Sequence, residues 1–154
     1  MTNPFFDQNL EKRSEMSVIP KELIDAYRAT HFRVLEPVSF VLRIGEFSQT
    51  LEDLYRDRSI SSAAFLTAYN PYSNETEAVD NEKANDVLKH TLKDEQIIFY
   101  EGIGENPAGE WPSEPSVFAL GLSHEKASSI GRAFNQNSIV WIGSDAVPEL
   151  VLLR

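Results

Sequence analysis

The stretch "SAAFLTAYNPYSN", from Ser62 to Asn74, joins a short apolar run to a cluster of polar residues. An apolar run of this length is typical of a central strand that is buried on both faces of a sheet. Pro71 fixes its own φ and moves Asn70 out of the helical region, so the chain has to turn directly after the strand. The stretch therefore predicts a central strand that ends in a polar turn.

The segments after this strand complete a recognisable order of elements. From Ala84 to Leu92, largely apolar residues recur at i, i+3, i+4, i+7 and i+8, which predicts an amphipathic helix capped by Asp80 or Asn81. The runs "QIIFYEG" and "SVFALGL" have the pattern of strands, a helix capped by Ser123 follows them, and "SIVWIG" is a further strand. Strand, helix, strand, strand, helix, strand is the order of a split β-α-β-β-α-β unit. We expect an α+β fold with a mixed, mostly antiparallel sheet and helices packed on it.

A helix and a hairpin precede this unit. Pro20 suits the first turn of a helix that ends near Ala29, and the runs "THFRVL" and "VSFVLRIG" then alternate apolar with polar residues, as the two strands of a hairpin do. A short helix capped by Ser48 leads into the central strand, and "ELVLL" forms a last strand near the C terminus.

The first residues of the chain differ from the rest. They are polar and aperiodic apart from Phe5 and Phe6, which suits a mobile terminus better than a packed element. The 154 residues, 42% of them hydrophobic, have the size and composition of one globular domain. We expect a flexible N-terminal arm over residues 1–17 and a single α+β domain over residues 18–154.

Charge and composition limit the classes of partner. The formal net charge is -10, and residues 75–114 hold eleven acids and three lysines, which is typical of a solvated acidic surface. Such a chain is a poor partner for nucleic acid, whose binding needs clustered Lys and Arg. With no cysteine, thiolate chemistry and disulfides are excluded. Because the sequence shows no secretory signal and no membrane-length apolar run, we expect a cytoplasmic protein without a membrane partner.

Five separated segments are familiar as a set: "YRATHF" from Tyr27, "LRIG" from Leu42, "AFLTAYNPYS" from Ala64, "GEWPSEPSVFALGL" from Gly109 and "AFNQNSIVWI" from Ala133. Together they resemble DUF3293, a bacterial domain family of unknown function. The resemblance implies a bacterial cytoplasmic protein whose domain runs from about residue 20 to the C terminus. It implies no activity, cofactor or catalytic residue.

The polar turn is the first candidate site, with two interpretations. In one, the side chains only satisfy the backbone of a turn that ends the strand. In the other, amides and hydroxyls at the end of a central strand converge on a ligand. The candidate ligand-binding residues are Thr67, Asn70, Tyr72, Ser73 and Asn74.

Basic residues form the second candidate, with Arg28, His31, Arg33 and Arg43 lying within sixteen residues of an otherwise acidic chain. The structural interpretation is a complement to a helix dipole together with surface ion pairs. The functional one is an anion clamp, in which Arg28, His31 and Arg43 hold a phosphate or carboxylate.

The loop between the two strands of the unit contains the third candidate. Trp111 is a candidate stacking wall, and Glu114 beside it is a candidate general acid or base, although closure of the loop on the core is the favoured explanation of Trp111. Gln136 and Asn137, between a helix and a strand, suit either a turn or amide contacts to a ligand. The sequence has neither a dinucleotide fingerprint nor a P-loop, and its three histidines lack ligand-spaced partners, so we expect no metal site.

Two functions compete on this basis. The first is binding of a small polar or anionic metabolite at the strand end, with enzymatic activity left open. The second is a non-enzymatic protein-interaction module that uses the arm and the acidic surface. The sequence leaves the cofactor, the reaction and the oligomeric state open.

Overall fold

A computed structural model describes residues 17–154. Within that range the chain forms helices and strands in the following order: α1 Lys21–Ala29, β1 His31–Val34, β2 Phe40–Leu42, α2 Gln49–Arg58, β3 Ala63–Leu66, α3 Ala78–Asp94, β4 Phe99–Glu105, β5 Glu114–Leu120, α4 His124–Ala133, β6 Ser138–Ile142 and β7 Pro148–Leu152. A single 3₁₀ turn, Pro71–Ser73, follows β3.

The strands form one sheet in the order β2-β1-β4-β5-β3-β6-β7. Each neighbouring pair is antiparallel, so the sheet is antiparallel throughout the described residues rather than mixed. The helix between β3 and β4 crosses over β5, and the helix between β5 and β6 crosses over β3. This arrangement confirms the α+β fold and the split β-α-β-β-α-β unit.

Helices α3 and α4 cover one face of the sheet. Leu88 and Leu92 from α3 and Ile130 from α4 are buried together with the sheet residues Ala64 and Val117. Leu88 and Leu92 of the predicted period therefore face the core, whereas Val87 is exposed, and the buried face of α3 continues through Asn85 and Asn81 instead.

Helices α1 and α2 cover the other face, and the β1-β2 hairpin at the edge of the sheet contributes residues to the core on that side. Phe65 and Phe118 point to this side with Leu51 and Tyr55 of α2. The hydroxyl of Tyr55 donates to the backbone carbonyl of Ile142 at 3.0 Å, and burial raises the pKa of this tyrosine. Alternate residues of β3 thus supply both cores, which confirms that this strand is buried on both faces.

Two helix caps are confirmed and one is wrong. The hydroxyls of Ser48 and Ser123 accept hydrogen bonds from the first turns of their helices. Helix α3, however, begins one turn before the predicted caps, with Glu77 at its N-cap. Asn81 therefore lies inside the helix, and its side chain forms hydrogen bonds with the polar turn rather than capping the helix.

The loop between β4 and β5 is shorter than the sequence suggests. Strand β4 continues to Glu105 and β5 begins at Glu114, so the connection covers residues 106–113. The predicted arm, including Phe5 and Phe6, lies outside the described residues except for Ser17. No helix within residues 17–154 has the length and apolarity needed to cross a membrane.

Candidate functional site

A cavity of about 580 Å³ lies beside the polar turn. Its wall is built mainly by α1, the end of β3 with the turn after it, the start of α3, the end of the β4–β5 loop and the start of β6, with further residues from β1, β4, β5 and β7. The cavity therefore occupies the strand end that the sequence singled out, on the side of the sheet that α1 covers.

The turn that borders the cavity has an unusual backbone. Asn70, Tyr72 and Ser73 have φ values of 45°, 54° and 61°, so three non-glycine residues out of four adopt the left-handed region. Such conformations cost about 1–2 kcal/mol each for most residues and persist only where the surroundings enforce them. Here the amide of Tyr72 donates to the carbonyl of Asn135 at 2.8 Å, and its hydroxyl donates to the same residue's Oδ1 at 3.0 Å. Contacts across the fold thus impose the shape of the turn.

Asn70 is the centre of the hydrogen bonds at this turn. Its Oδ1 accepts from the amide of Thr76 at 3.1 Å and from Nδ2 of Asn81 at 2.9 Å. Its Nδ2 donates to Oε2 of Glu114 at 3.0 Å. The backbone amide of Asn70 in turn donates to Oδ1 of Asn81 at 2.9 Å. Because a backbone donor fixes which side-chain atom of Asn70 is the oxygen, the Nδ2 must face Glu114.

A second polar cluster joins α1 to the same turn. The hydroxyls of Tyr27 and Ser73 are hydrogen-bonded to each other, and Nδ2 of Asn137 donates to both. Arg154 donates to Oδ1 of Asn137 at 3.2 Å, and its guanidinium lies 4.1 Å from the centre of the Tyr72 ring. The end of the chain therefore packs against the outer side of the turn.

Glu114, at the start of β5, lies beside Asn70 at the edge of the cavity, and Trp111 precedes it in the β4–β5 loop. Burial raises the pKa of the Glu114 carboxyl above its ordinary value, and the hydrogen bond from Asn70 opposes that shift. The ring of Trp111 lines the same cavity and is 43% exposed, which places it at the mouth. A partly desolvated carboxyl in a cavity is able to pair with a donor or cation, or to deliver a proton to a bound molecule.

Two further polar residues of the wall are held by carbonyls. The hydroxyl of Thr67 donates to the carbonyl of Pro115 at 2.8 Å. Nε2 of Gln136 donates to the carbonyls of Tyr69 and Phe134, at 3.1 and 3.2 Å. Since both partners of Gln136 are acceptors, its amide orientation is determined, and its Oε1 accepts no hydrogen bond from residues 17–154.

More than half of the sequence-predicted ligand residues come together in this cavity. They are drawn from the turn, from the β4–β5 loop and from the segment before β6, and they are Thr67, Asn70, Ser73, Trp111, Glu114 and Gln136. The turn and site interpretations are compatible, because most of these side chains shape the turn while also lining the cavity. That they bind a ligand stays a prediction.

The other five predicted ligand residues do not line the cavity. None of Arg28, His31 and Arg43 is among the cavity-lining residues, so the structure does not bring the predicted anion clamp to the polar turn. Arg43 lies at the surface, 4.0 Å from a carboxylate oxygen of its own loop. Tyr72 faces outward, and Asn74 ends the 3₁₀ turn.

Three residues of the site were not found from the sequence. Tyr27 and Arg154 had no predicted role in a site, and Asn81 was expected only as a helix cap. For Asn81 there was a signal, since it lies three residues before Ala84 and seven before Leu88, and an amide on that helical face requires a partner. For Tyr27 and Arg154 the sequence carries no such signal, because their partners are distant along the chain.

Comparison with known proteins confirms the resemblance over part of the chain. The model of a family described as a protein of unknown function, DUF3293, matches residues 66–139. The matched segment runs from the end of β3 to the second residue of β6, and it contains the turn and the Glu114 edge of the cavity. No curated protein and no solved structure matches the chain. Among residues 17–154 there is no cluster of three or more side chains suited to hold a metal ion.

Proposed function

We propose that this protein binds a small polar molecule in the cavity beside the strand-end turn. The observation that carries the proposal is the convergence of six of the eleven predicted ligand residues, from three separate segments, on one cavity. Its volume, about 580 Å³, lies within the range of about 300–1,000 Å³ that is common for small-molecule sites.

The composition of the wall supports this proposal. Leu23, Phe32, Phe65 and Leu150 supply apolar surface from four different elements. A few polar groups at one end, with mostly apolar surface elsewhere, is the usual construction of a site that orients a small ligand. The rigid turn at Asn70 would hold those polar groups in place before the ligand arrives, which lowers the entropic cost of binding.

The charges of the wall favour a ligand without net negative charge. Among residues 17–154, the charged residues that line the cavity are Glu75 and Glu114, and no Lys, Arg or His of that range lines it. A phosphate or carboxylate would meet like charge there without a compensating cation. Of the polar and anionic ligands expected from the sequence, we therefore propose the polar class.

A thermal-shift screen of neutral, cationic and anionic metabolites tests the proposal, with two variants of α1 as a matched pair. Ala26 lines the cavity, so Ala26→Phe would place a ring inside it. Ala29 is exposed on the same helix and does not line the cavity, so Ala29→Phe is the control. A ligand at about 100 times its Kd adds about 2.7 kcal/mol of stability. We expect that stabilisation to disappear in Ala26→Phe and to persist in Ala29→Phe.

Two results would contradict the proposal. One is a screen in which no compound stabilises the unmodified chain. The other is a set of hits that stabilise Ala26→Phe as well as they stabilise Ala29→Phe, since binding would then lie elsewhere on the surface.

The protein-interaction module stays a prediction as the alternative. Its arm lies outside the described residues, whereas its acidic surface includes α3, on which Val79 and Val87 are both 56% exposed. Comparing partner capture by the full chain and by a form that starts near Val18 tests the arm's contribution. Unchanged capture after truncation would count against it.

A further inference from the structure

Resting on the proposed function, we propose that the cavity selects a protonated amine carried on an apolar body, with Glu114 as the partner of the ammonium group. Two acceptor atoms of the cavity wall that have no donor among residues 17–154, together with the charge of Glu114, carry this proposal.

Two acceptors of the wall, one on Glu114 and one on Gln136, have no donor among residues 17–154. The indole N–H of Trp111 and the hydroxyls of Tyr69, Ser113 and Ser138 also line the cavity without a partner in that range, and a hydroxyl can donate or accept. Oε2 of Glu114 accepts from Asn70, whereas its Oε1 accepts no hydrogen bond from residues 17–154. Gln136 uses its two amide hydrogens on carbonyls, and its Oε1 is likewise without a donor in that range. A carboxylate and an amide oxygen in this state call for a ligand that donates hydrogen bonds. An ammonium group has donors and no acceptor, so it matches both.

The surroundings of Glu114 favour a charged donor over a neutral one. No Lys, Arg or His among residues 17–154 lies within ion-pair distance of its carboxylate. Burial penalises that carboxylate, and a cation beside it would offset the penalty. The ring of Trp111 lines the same cavity, and the face of an indole attracts cations.

The rest of the wall describes the body of the ligand. Beyond the polar edge, the cavity is lined by Leu23, Phe32, Phe65 and Leu150, so an alkyl or aryl group would be buried there. The ligand class is therefore an amphipathic amine, and a highly charged polyamine would leave some of its charges against apolar side chains.

Matched sets of three probes test this inference by isothermal titration calorimetry at neutral pH. One set is 2-phenylethylamine, 2-phenylethanol and phenylacetate, and the other is hexylamine, hexanol and hexanoate. Within a set the body is constant and only the head group changes from cation to neutral to anion. We expect the amine to bind at least about tenfold more tightly than its alcohol, the effect of one charge-assisted hydrogen bond.

Glu114→Gln shows whether Glu114 causes the preference. Glutamine keeps an acceptor for Asn70 and removes the charge, so the amine-to-alcohol ratio should fall to within about threefold, while alcohol binding persists. Glu110→Gln is the control, because Glu110 is exposed on the loop that leads into β5 and does not line the cavity. That variant should keep the full ratio. Circular dichroism of both variants checks that they are folded.

The outcomes separate this inference from the proposed function. Equal or tighter binding of the alcohol or carboxylate by the unmodified chain overturns the amine class, and this test does not depend on any variant. A ratio that survives in Glu114→Gln overturns the role of Glu114. If no probe binds while other compounds bind in a manner that Ala26→Phe abolishes, the amine class is wrong and the cavity site stands. If nothing binds at all, both proposals fail.

Discussion

Replacing Asn70 by alanine should destabilise the protein more than its position near the surface suggests. The substitution removes three side-chain hydrogen bonds, which join the turn to the amide of Thr76, to Asn81 in α3 and to Glu114 in β5. It also places a residue with a Cβ, and without a locally bonding side chain, at φ 45°.

The magnitude follows from these two losses. Each hydrogen bond contributes about 0.5–1.5 kcal/mol net, so three contribute about 3 kcal/mol. The left-handed backbone adds about 1 kcal/mol when asparagine becomes alanine. We expect Asn70→Ala to lower the free energy of unfolding by about 4 kcal/mol, which for a chain of this size corresponds to a decrease in Tm of roughly 8–16 °C.

Asn70→Gly separates the two contributions. It removes the same hydrogen bonds, but glycine adopts positive φ without a Cβ clash, so it should be more stable than Asn70→Ala by about 1 kcal/mol. Urea unfolding followed by circular dichroism measures both variants against the unmodified chain, with the free energies obtained by linear extrapolation.

Two results would refute this reasoning. If Asn70→Ala lies within about 0.5 kcal/mol of the unmodified chain, the hydrogen bonds of the turn do not contribute as expected. If Asn70→Gly is less stable than Asn70→Ala, the left-handed conformation of residue 70 is not a feature of the folded protein in solution.

Four substitutions probe the core and the cavity edge. A Cβ at Gly102 would lie 2.7 Å from the ring of Phe65, whereas one at Gly104 on the same strand has its nearest neighbour at 3.7 Å. In urea unfolding, Gly102→Ala should therefore lower the free energy of unfolding by about 1–3 kcal/mol, and Gly104→Ala by less than about 0.5 kcal/mol. Equal losses would contradict this. Because burial raises the pKa of Glu114, its carboxyl stays protonated in the folded chain over a pH range in which it is ionised in the unfolded chain. Glu114 therefore makes the stability of the fold decrease as the pH rises above the ordinary glutamate pKa of about 4.3. The glutamine of Glu114→Gln does not titrate, so thermal unfolding at several pH values should show this variant gaining stability relative to the unmodified chain between acid and neutral pH. A difference in stability that stays constant with pH would show that the pKa of the carboxyl is not perturbed. Tyr55→Phe removes a buried donor to a strand carbonyl and should cost about 1–2 kcal/mol by the same unfolding assay, while no change would mean that water replaces the hydroxyl.

The order of elements was predictable because its signals are local. The apolar run before Thr67, the helical period through Leu88 and Leu92, and the serine caps at Ser48 and Ser123 each depend on residues within a few positions of one another. The start of α3 was missed for a tertiary reason, since Asn81 lies inside the helix and its side chain holds the turn at Asn70.

The candidate site was predictable only in part. Pro71 required a turn after β3, and the density of amides and hydroxyls identified that turn as a place for a ligand. The basic residues at Arg28, His31 and Arg43 were expected to join it, yet none of them lines the cavity. Closeness in sequence between α1 and the first hairpin did not determine which side chains of those elements point toward β3.

The sequence by itself determined that a buried strand ends at a polar turn, because hydrophobic period and proline geometry act over a few residues. Only the tertiary structure decided which partners the polar side chains meet. Asn70 reaches Glu114 across 44 residues and Asn137 reaches Tyr27 across 110, because the crossovers place β5 and β6 on either side of β3 and α1 beside its end. The sheet order therefore sets which acceptors of the cavity remain open, since a hydrogen bond forms only between groups that the fold brings within about 3 Å.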